Sequence, residues 1–165
     1  MLNNLTKGII AKIYADLGDK AKNYKYYDNG INQNFITPCF YPHILSPRLT
    51  KGVGGMYEYS VPFVVHYFPK DPTNKVEMND IGDFLLRSLE TIKVTVGKLG
   101  LYTNENGEQV AGEYVGEQIV RGTDIYFTVQ EDRVLCRVTY TLLTHSKSTA
   151  VDEMENISFA ETVKE

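Results

Sequence analysis

The chain of 165 residues is long enough for one domain with one sizeable hydrophobic core. Its hydrophobic content of 42% and charged content of 23% are ordinary for a globular protein, and no apolar run approaches the roughly 20 residues that a membrane-spanning helix needs. Of the net charge of −4, residues 146–165 carry −3, from five acidic residues against two lysines, which leaves −1 for residues 1–145. This distribution excludes a basic footprint for gripping nucleic acid.

Targeting signals and cysteine spacing favour a cytosolic protein without a zinc site. Residues 1–18 lack the basic start, the apolar run and the cleavage site of a secretory signal, so we expect synthesis and action in the cytosol. Cys39 and Cys136 form no CxxC motif and lie in apolar stretches. We therefore expect two buried free thiols, with too few Cys and His partners nearby for zinc.

Apolar residues near the N-terminus recur at steps of three and four positions: Leu2, Leu5, Ile9, Ile13 and Leu17. This spacing predicts an amphipathic helix that ends near Gly18. A polar and aromatic stretch follows, with a turn signal at residues 28–30 and a short strand expected around residues 24–27.

Two proline-containing strands are predicted next. Residues 38–45 indicate a strand interrupted by Pro42, and residues 46–55 indicate a loop. In residues 57–70 (YEYSVPFVVHYFPK) apolar or aromatic residues alternate with Glu58, Ser60, Pro62 and His66, which is typical of a half-buried strand. Since Pro62 cannot donate a ladder hydrogen bond, we expect it on an edge, at a bulge, or facing away from the neighbouring strand.

The second half of the chain predicts one helix and four strands. Residues 71–93 indicate a helix with a capping pair of Asn74 and Glu77, and its buried face is marked by Met78, Ile81, Leu85, Leu89 and Ile92. Residues 94–120 indicate a hairpin around a two-residue turn, Asn106-Gly107. Alternating residues at 125–129 and 134–142 then predict two closing strands. The expected fold is α+β, with a mainly antiparallel sheet and two principal helices packed on one face.

His66 is the sharpest candidate for catalysis because histidine titrates near neutral pH. Sequence places no partner beside it, His43 and His145 are also isolated, and there is no HExxH or GxSxG motif. A histidine on the polar face of a strand is usually solvated or bonded to a neighbour. We therefore expect no catalytic residues, no cofactor and no metal.

Candidate contact residues lie in the 46–55 loop and in the C-terminal segment. The loop fails as a phosphate-binding P-loop, since lysine precedes its glycines and a strand follows. Its basic and glycine residues are instead suited to a partner surface: Arg48, Lys51, Gly52 and Gly54. Residues 146–165 form an acidic C-terminal extension beyond a domain at 1–145, and Ile157 and Phe159 alternate well enough to add to a sheet edge.

A set of short structural motifs suggests a family. Pro38-Cys39-Phe40 comes first, Pro62-Phe63 precedes Tyr67-Phe68-Pro69-Lys70, and Arg121-Gly122 precedes the two closing strands. With an N-terminal helix opening on Lys7-Gly8-Ile9, the chain resembles the tail terminator (tail completion) proteins of bacteriophages, particularly those of phages and phage-like particles of Gram-positive bacteria. The resemblance covers residues 1–145. Residues 94–120 look like an extra hairpin on that fold, and the acidic extension looks particular to this chain.

The resemblance implies a structural virion protein rather than an enzyme. Such proteins form a homohexameric ring at the head-proximal end of the tail tube, where the ring stops tube polymerisation and presents a surface to the neck. The implied partners are other copies of the chain, the tail tube protein, a neck or connector protein and, in contractile tails, the sheath protein. DNA passes through the lumen without specific binding, and no membrane is involved. The implied location is the tail–neck junction of a virion assembled in the host cytoplasm.

Two other function classes remain open on the sequence. One is another neck or head–tail connector component of the same particle, since such components also include small α+β ring subunits. The other is a small hydrolase or ligand-binding protein that uses His66. Oligomeric state separates the hydrolase from the first two classes, and binding to an isolated tail tube separates a terminator from a connector.

Overall fold

A computed structural model describes residues 2–27, 34–53 and 56–145, without the side chains of 97–102, 111–114 and 144–145. Two α-helices and seven strands are seen in these ranges, with a short 3₁₀ helix at Gly18–Asn23 after the first helix. In chain order they are α1 (Leu2–Leu17), β1 (Lys25–Tyr26), β2 (Cys39–Ile44), β3 (Arg48–Lys51), β4 (Met56–Phe68), α2 (Lys75–Ser88), β5 (Thr91–Thr103), β6 (Gln109–Val129) and β7 (Val134–His145).

The strands form one sheet in the order β1-β2-β4-β7-β6-β5, and β3 pairs with β4 beyond the end of β2. Every pairing in the described ranges is antiparallel except the short one between β1 and β2. Both helices supply buried residues to a core that also takes one face of the sheet. The predicted α+β fold, with a mainly antiparallel sheet and two principal helices on one face, is confirmed.

The core follows the two periodicities of the sequence. Leu5, Ile9 and Ile13 of α1 are fully buried, as the three- and four-residue spacing predicts. Alternate residues of β4 and β7 meet them from the sheet, including Phe63 and Val138, which lie opposite each other. Each large apolar side chain buried in this way stabilises the fold by roughly 1.5–3 kcal/mol.

Helix α2 begins as predicted but ends earlier. The side chain of Asn74 accepts a hydrogen bond from the backbone N–H of Glu77, and this N-terminal cap is confirmed. The helix ends at Ser88, so Ile92 belongs to β5. The prediction of a helix over 71–93 is wrong at its C-terminal end. Ile92 would be buried in a helix as well as in a strand, so its apolar character does not distinguish the two. The alternating β-branched residues that follow favour a strand.

The hairpin of β5 and β6 is longer than its predicted span, with pairing from Thr91 opposite Arg121 to Thr103 opposite Gln109. The predicted two-residue turn is wrong, because residues 104–108 lie between the last paired residues, Thr103 and Gln109. Asn104 accepts hydrogen bonds on its side chain from the backbone N–H groups of Asn106 and Glu108, and Gly107 has a φ of 82°. These bonds close a wider loop than the sequence signal indicates.

Strand β6 continues from the hairpin into the main sheet, so residues 125–129 are not a separate strand. A bulge between Thr123 and Tyr126, with Asp124 at a φ of 52°, marks the change of partner. Strand β6 pairs with β5 up to Arg121, and it pairs with β7 from Gly122 onward.

The two strand prolines occupy positions where no N–H is needed. The backbone N–H of Tyr27 donates to the carbonyl of Phe40, so the main-chain groups of Phe40 face the outer side of β2. By alternation the main-chain groups of Pro42 face the same side, away from β4. The missing N–H of Pro42 therefore does not interrupt the strand, contrary to the prediction. The carbonyl of Pro62 accepts from Leu45, where β2 ends and before β3 begins. Strand β4 is therefore an internal strand, and Pro62 lies at a junction between two partners rather than on a sheet edge.

Residues 46–55, predicted as a loop, contain strand β3, which pairs antiparallel with residues 57–60 of β4. The short strand expected around residues 24–27 is present as β1. The turn signal at residues 28–30 lies outside the described residues.

Candidate functional site

His66 lies on the sheet face opposite to the helices, directly across from Tyr41 of β2. Its ring is nearly parallel to that of Phe68, at 8° with centroids 6.1 Å apart, and the Tyr41 centroid is 5.7 Å away. The guanidinium of Arg133 lies 5.0 Å from the Phe68 centroid. Phe35 packs on the same Phe68 ring at 4.7 Å. His66 is thus part of an aromatic cluster with a cation at its border.

This environment keeps His66 neutral. Burial lowers its pKa to about 4, and the positive charge of Arg133 acts in the same direction. Asp132 would raise the pKa, but its carboxylate accepts two hydrogen bonds from Arg133, at 2.9 and 2.8 Å. The Nδ1 atom of His66 is buried and has no hydrogen-bond partner among the described residues. The pair of nucleophile and base that acyl-transfer chemistry requires is not assembled around this ring in those ranges.

Two shallow cavities lie near the cluster. One, of about 390 Å³, is lined by Phe35, Tyr41, His66, Phe68, Asp132 and Arg133. The other, of about 420 Å³, lies between α1 and β2 and includes Lys7, Tyr41 and His43. Both are near the lower limit of small-ligand sites, and in the first the two charged residues are already bound to each other.

The cysteines are free and buried, as predicted. Burial raises the pKa of Cys39 to about 11 and that of Cys136 to about 12, so both thiols stay protonated and unreactive at neutral pH. In the ranges that the structure describes, no three His, Cys, Asp or Glu side chains are grouped so as to hold a metal ion. Nor does any helix described there have the length and apolarity to cross a membrane.

The predicted contact residues are only partly within the described chain. Arg48 and Lys51 are the first and last residues of β3, all four residues of which are exposed, and Gly52 follows directly. Neither basic side chain forms an ion pair with another described residue. Gly54, Ile157 and Phe159 lie outside the described residues.

The sheet narrows to three strands where β3 joins it. We call this region the three-stranded end: residues 48–51 of β3, 57–60 of β4 and 141–144 of β7. Strand β6 pairs with β7 only as far as Tyr140, so beyond that point β7 has an unpaired side within the described structure. The side of β3 that faces away from β4 is also unpaired within the described structure. Leu49 and Leu143, one on each outer strand, are 58% and 62% exposed.

Sequence reasoning missed the aromatic cluster and both open strands, since residues 46–55, which contain β3, were predicted as a loop. Tyr41 and His66 are neighbours only through the β2–β4 register, which periodicity alone does not reveal. Leu143 occupies an outward-facing position in the alternation of β7, but that alternation does not show that β6 leaves β7 at Gly122. The signal available was Arg121-Gly122 itself, because glycine within a strand often marks a bulge or a close backbone approach.

Comparison with known proteins identifies the family of the chain. No curated protein sequence matches it. A family model described as "Phage tail terminator protein" matches residues 4–153. This range includes all the strands described above, helix α2, and helix α1 apart from its first two residues. The chain therefore belongs to the phage tail terminator protein family, whose members have a structural role in the tail.

Proposed function

We propose that this protein forms a ring on the last ring of the phage tail tube, ends tube growth there and presents the attachment surface to the neck. The observation that carries the proposal is the family match over residues 4–153. A tube grows because each ring offers the next one a matching face, a heterologous contact that does not close. A terminator must cover that face with a surface that tube subunits cannot extend.

The described structure supports a role in assembly more than one in catalysis. His66 is neutral with a pKa of about 4, and the cysteine thiols are buried and protonated. The open strands of the three-stranded end offer main-chain groups to a partner instead. We accordingly propose a structural protein without catalytic residues or cofactor, located at the tail–neck junction.

We infer that Arg48, Lys51, Gly52 and Gly54, together with Ile157 and Phe159 of the C-terminal extension, contact other copies or the tube. Support comes from β3, which is fully exposed and has two basic side chains without described ion pairs. In assembled tails these residues lose exposed area, whereas a location in bulk solvent would contradict the inference. The partners are other copies in a homohexamer, the tube protein, the neck or connector protein and, in contractile tails, the sheath.

The division of the chain follows from the same proposal. Residues 1–145 form the terminator domain, with the hairpin at 94–120 as an addition, and residues 146–165 form the acidic extension. Because residues 1–145 have a net charge of only −1, DNA can pass through the ring without being held by a basic lining.

The test is to delete the gene and measure tail lengths by electron microscopy, with the gene restored from a plasmid as the control. Overlong tails without heads are the expected result, because tube polymerisation then lacks its stop. Tails of normal length that fail to join heads would overturn termination and favour a connector.

A further inference from the structure

We propose that β3 of one copy pairs with β7 of the next at the three-stranded end, so that the sheet continues from copy to copy around the ring. This inference rests on the proposed ring and names the strands that hold it together. The two outer strands flank the same four residues of β4: Thr50 and Leu143, for example, both lie opposite Glu58. Among the described residues, each copy therefore has one open strand on either side of β4.

The main-chain groups of these strands point outward at known positions. On β3, Gly52 donates to the carbonyl of Met56, so by alternation Thr50 faces β4 while Leu49 and Lys51 face outward. On β7, the carbonyl of Thr139 faces β6, since it accepts from the Thr123 hydroxyl. Alternation then places the N–H and C=O groups of Thr141 and Leu143 on the open side.

The hydrogen bonds of β4 lead to the same assignment for β7. Pro62 and Met56 accept from Leu45 and Gly52, so the even-numbered residues of β4 face β2 and β3. The odd-numbered Tyr59 consequently faces β7, and its partner Leu142 faces β4. Thr141 and Leu143, on either side of Leu142, must then face away from β4. No backbone hydrogen bond within the described ranges occupies that side.

Charge disfavours the pairing of β3 with β3 of another copy and leaves the pairing of β3 with β7 acceptable. Two β3 strands side by side would bring Arg48 and Lys51 of both copies together, and like charges across a ladder are destabilising. Residues 141–144 of β7 (TLLT) are uncharged. Lysine on an edge strand commonly prevents unwanted pairing, and here it disfavours β3 self-pairing while an uncharged neighbour remains acceptable.

The geometry also suits a closed ring. Contact between two different edges is heterologous, and a heterologous contact forms a ring when its rotation closes. Within one copy β3 and β7 are both antiparallel to β4, so they run in the same direction. Rotation about an axis along the strands preserves direction, and the pairing between copies is then parallel.

Thiol crosslinking of full-length protein in assembled tails tests the pairing. Thr50→Cys and Leu143→Cys are each made alone and together. They are treated with a bifunctional thiol reagent that spans neighbouring strands but not the roughly 10 Å, or two strand spacings, between the two positions within one copy. Each single variant can give at most a dimer, whereas the double variant gives a ladder of larger covalent oligomers if β3 meets β7. Cys39 and Cys136 are fully buried and do not compete. The matched control is Thr50→Cys with Val76→Cys, on an α2 position that is 72% exposed.

Tails of normal length in which the double variant gives no more than dimers would overturn the pairing and leave the proposed function intact. Failure of the wild-type chain to form a ring, alone or on tubes, would overturn both. A second variant, Lys51→Pro, removes an outward N–H that has no described partner. Its monomer should melt like wild type, while ring assembly needs about tenfold more protein per lost contact. Lys51→Ala keeps the N–H, and an equal defect in that variant would count against main-chain pairing.

Discussion

Tyr41 lies opposite His66 in the β2–β4 ladder, and this pairing determines what the histidine can do. Packed among Tyr41, Phe68 and Arg133, the imidazole loses its hydration without gaining a carboxylate partner, and its pKa falls to about 4. A general base that works near neutral pH would need a pKa near 7. The residue that most suggested catalysis in the sequence thus packs in an aromatic cluster with a pKa of about 4.

We expect His66→Gln to leave tail assembly intact and to remove part of the acid sensitivity of the fold. The pKa of His66 is about 4 in the folded protein, against 6.5 for an unperturbed histidine. As the pH falls, the unfolded chain is therefore protonated at His66 before the folded protein is. The contribution of His66 is fully present above pH 6.5 and is lost as the pH falls toward 4. Because His66 is only partly buried, solvent screening reduces this loss to roughly 2 kcal/mol.

The measurement is the free energy of unfolding in urea at pH 7.5 and pH 5 for both proteins, together with tail assembly in the host. Subtracting the glutamine variant isolates His66 from His43 and His145, which stay in place. A loss of assembly in a variant that folds normally, or stoichiometric zinc in the purified protein, would contradict the packing role.

Gly122 is the second residue whose surroundings determine its identity. A Cβ there would lie 2.6 Å from the carbonyl oxygen of Leu89 and 2.6 Å from a methyl group of Val138. The carbonyl cannot move easily, because the hydroxyl of Tyr140 donates to it at 2.8 Å in the buried core. Glycine therefore allows β6 to pass close to the end of α2.

We expect Gly122→Ala to destabilise the fold by about 1–3 kcal/mol through overpacking. The urea midpoint should fall with an unchanged slope. Thr128→Ala, an exposed position on the same strand, serves as the control and should stay close to wild type. A midpoint equal to wild type for the glycine variant would show that the backbone can shift and that the close approach is not required.

At the scale of elements, β6 decides the shape of the sheet. The first part of this 21-residue strand pairs with β5 in the hairpin, and the second part pairs with β7 in the main sheet. A bulge between Thr123 and Tyr126 lies close to the change of partner. Because β6 turns away at Gly122, the end of β7 is left without a neighbour on that side in the described structure. The hairpin thus creates the open strand that we propose as a contact between copies.

The C-terminal extension is predicted to act outside its own domain. Residues 146–165 have a net charge of −3 and a largely polar composition, so we expect their apolar area to be too small to stabilise the domain. Deleting them should weaken assembly and leave the melting temperature of the monomer unchanged. Calorimetry of the monomer and assembly on isolated tubes measure the two effects.

A shorter deletion, of residues 154–165, is the matched comparison because it keeps every residue of the family match. A large fall in the melting temperature on removing 146–165 would mean that the segment packs on its own domain. Normal assembly by the truncated chain would likewise contradict a role in contacts.

For the whole molecule, charge and sheet edges are the properties that bear on assembly. Residues 1–145 are nearly neutral, so long-range electrostatic attraction to DNA contributes little. Both open strands of the three-stranded end flank β4, the internal strand that also carries the core residues Val61 and Phe63. A contact made there would be supported directly by the core rather than by a flexible loop.

Local patterns in the sequence were sufficient for the fold class, the two helices, the capping of α2 and most core residues. The buried faces of α1 and β7 follow their periods of 3.6 and 2, since burial on one face imposes that spacing on each element by itself. The family resemblance came from such local motifs as well, and it is confirmed over residues 4–153.

Register, strand partners and the surroundings of side chains were decided only by the tertiary structure. Whether residue 92 continues a helix or starts a strand, whether β4 is internal, and what lies beside His66 all depend on contacts between residues far apart in sequence. The local spacing of apolar residues does not answer these questions, because an apolar residue such as Ile92 is buried whether it lies in a helix or in a strand. The open side of β7 arises in the same way, from the close approach of Gly122 to the end of α2. A glycine within a strand indicates such an approach, but it does not identify the partner.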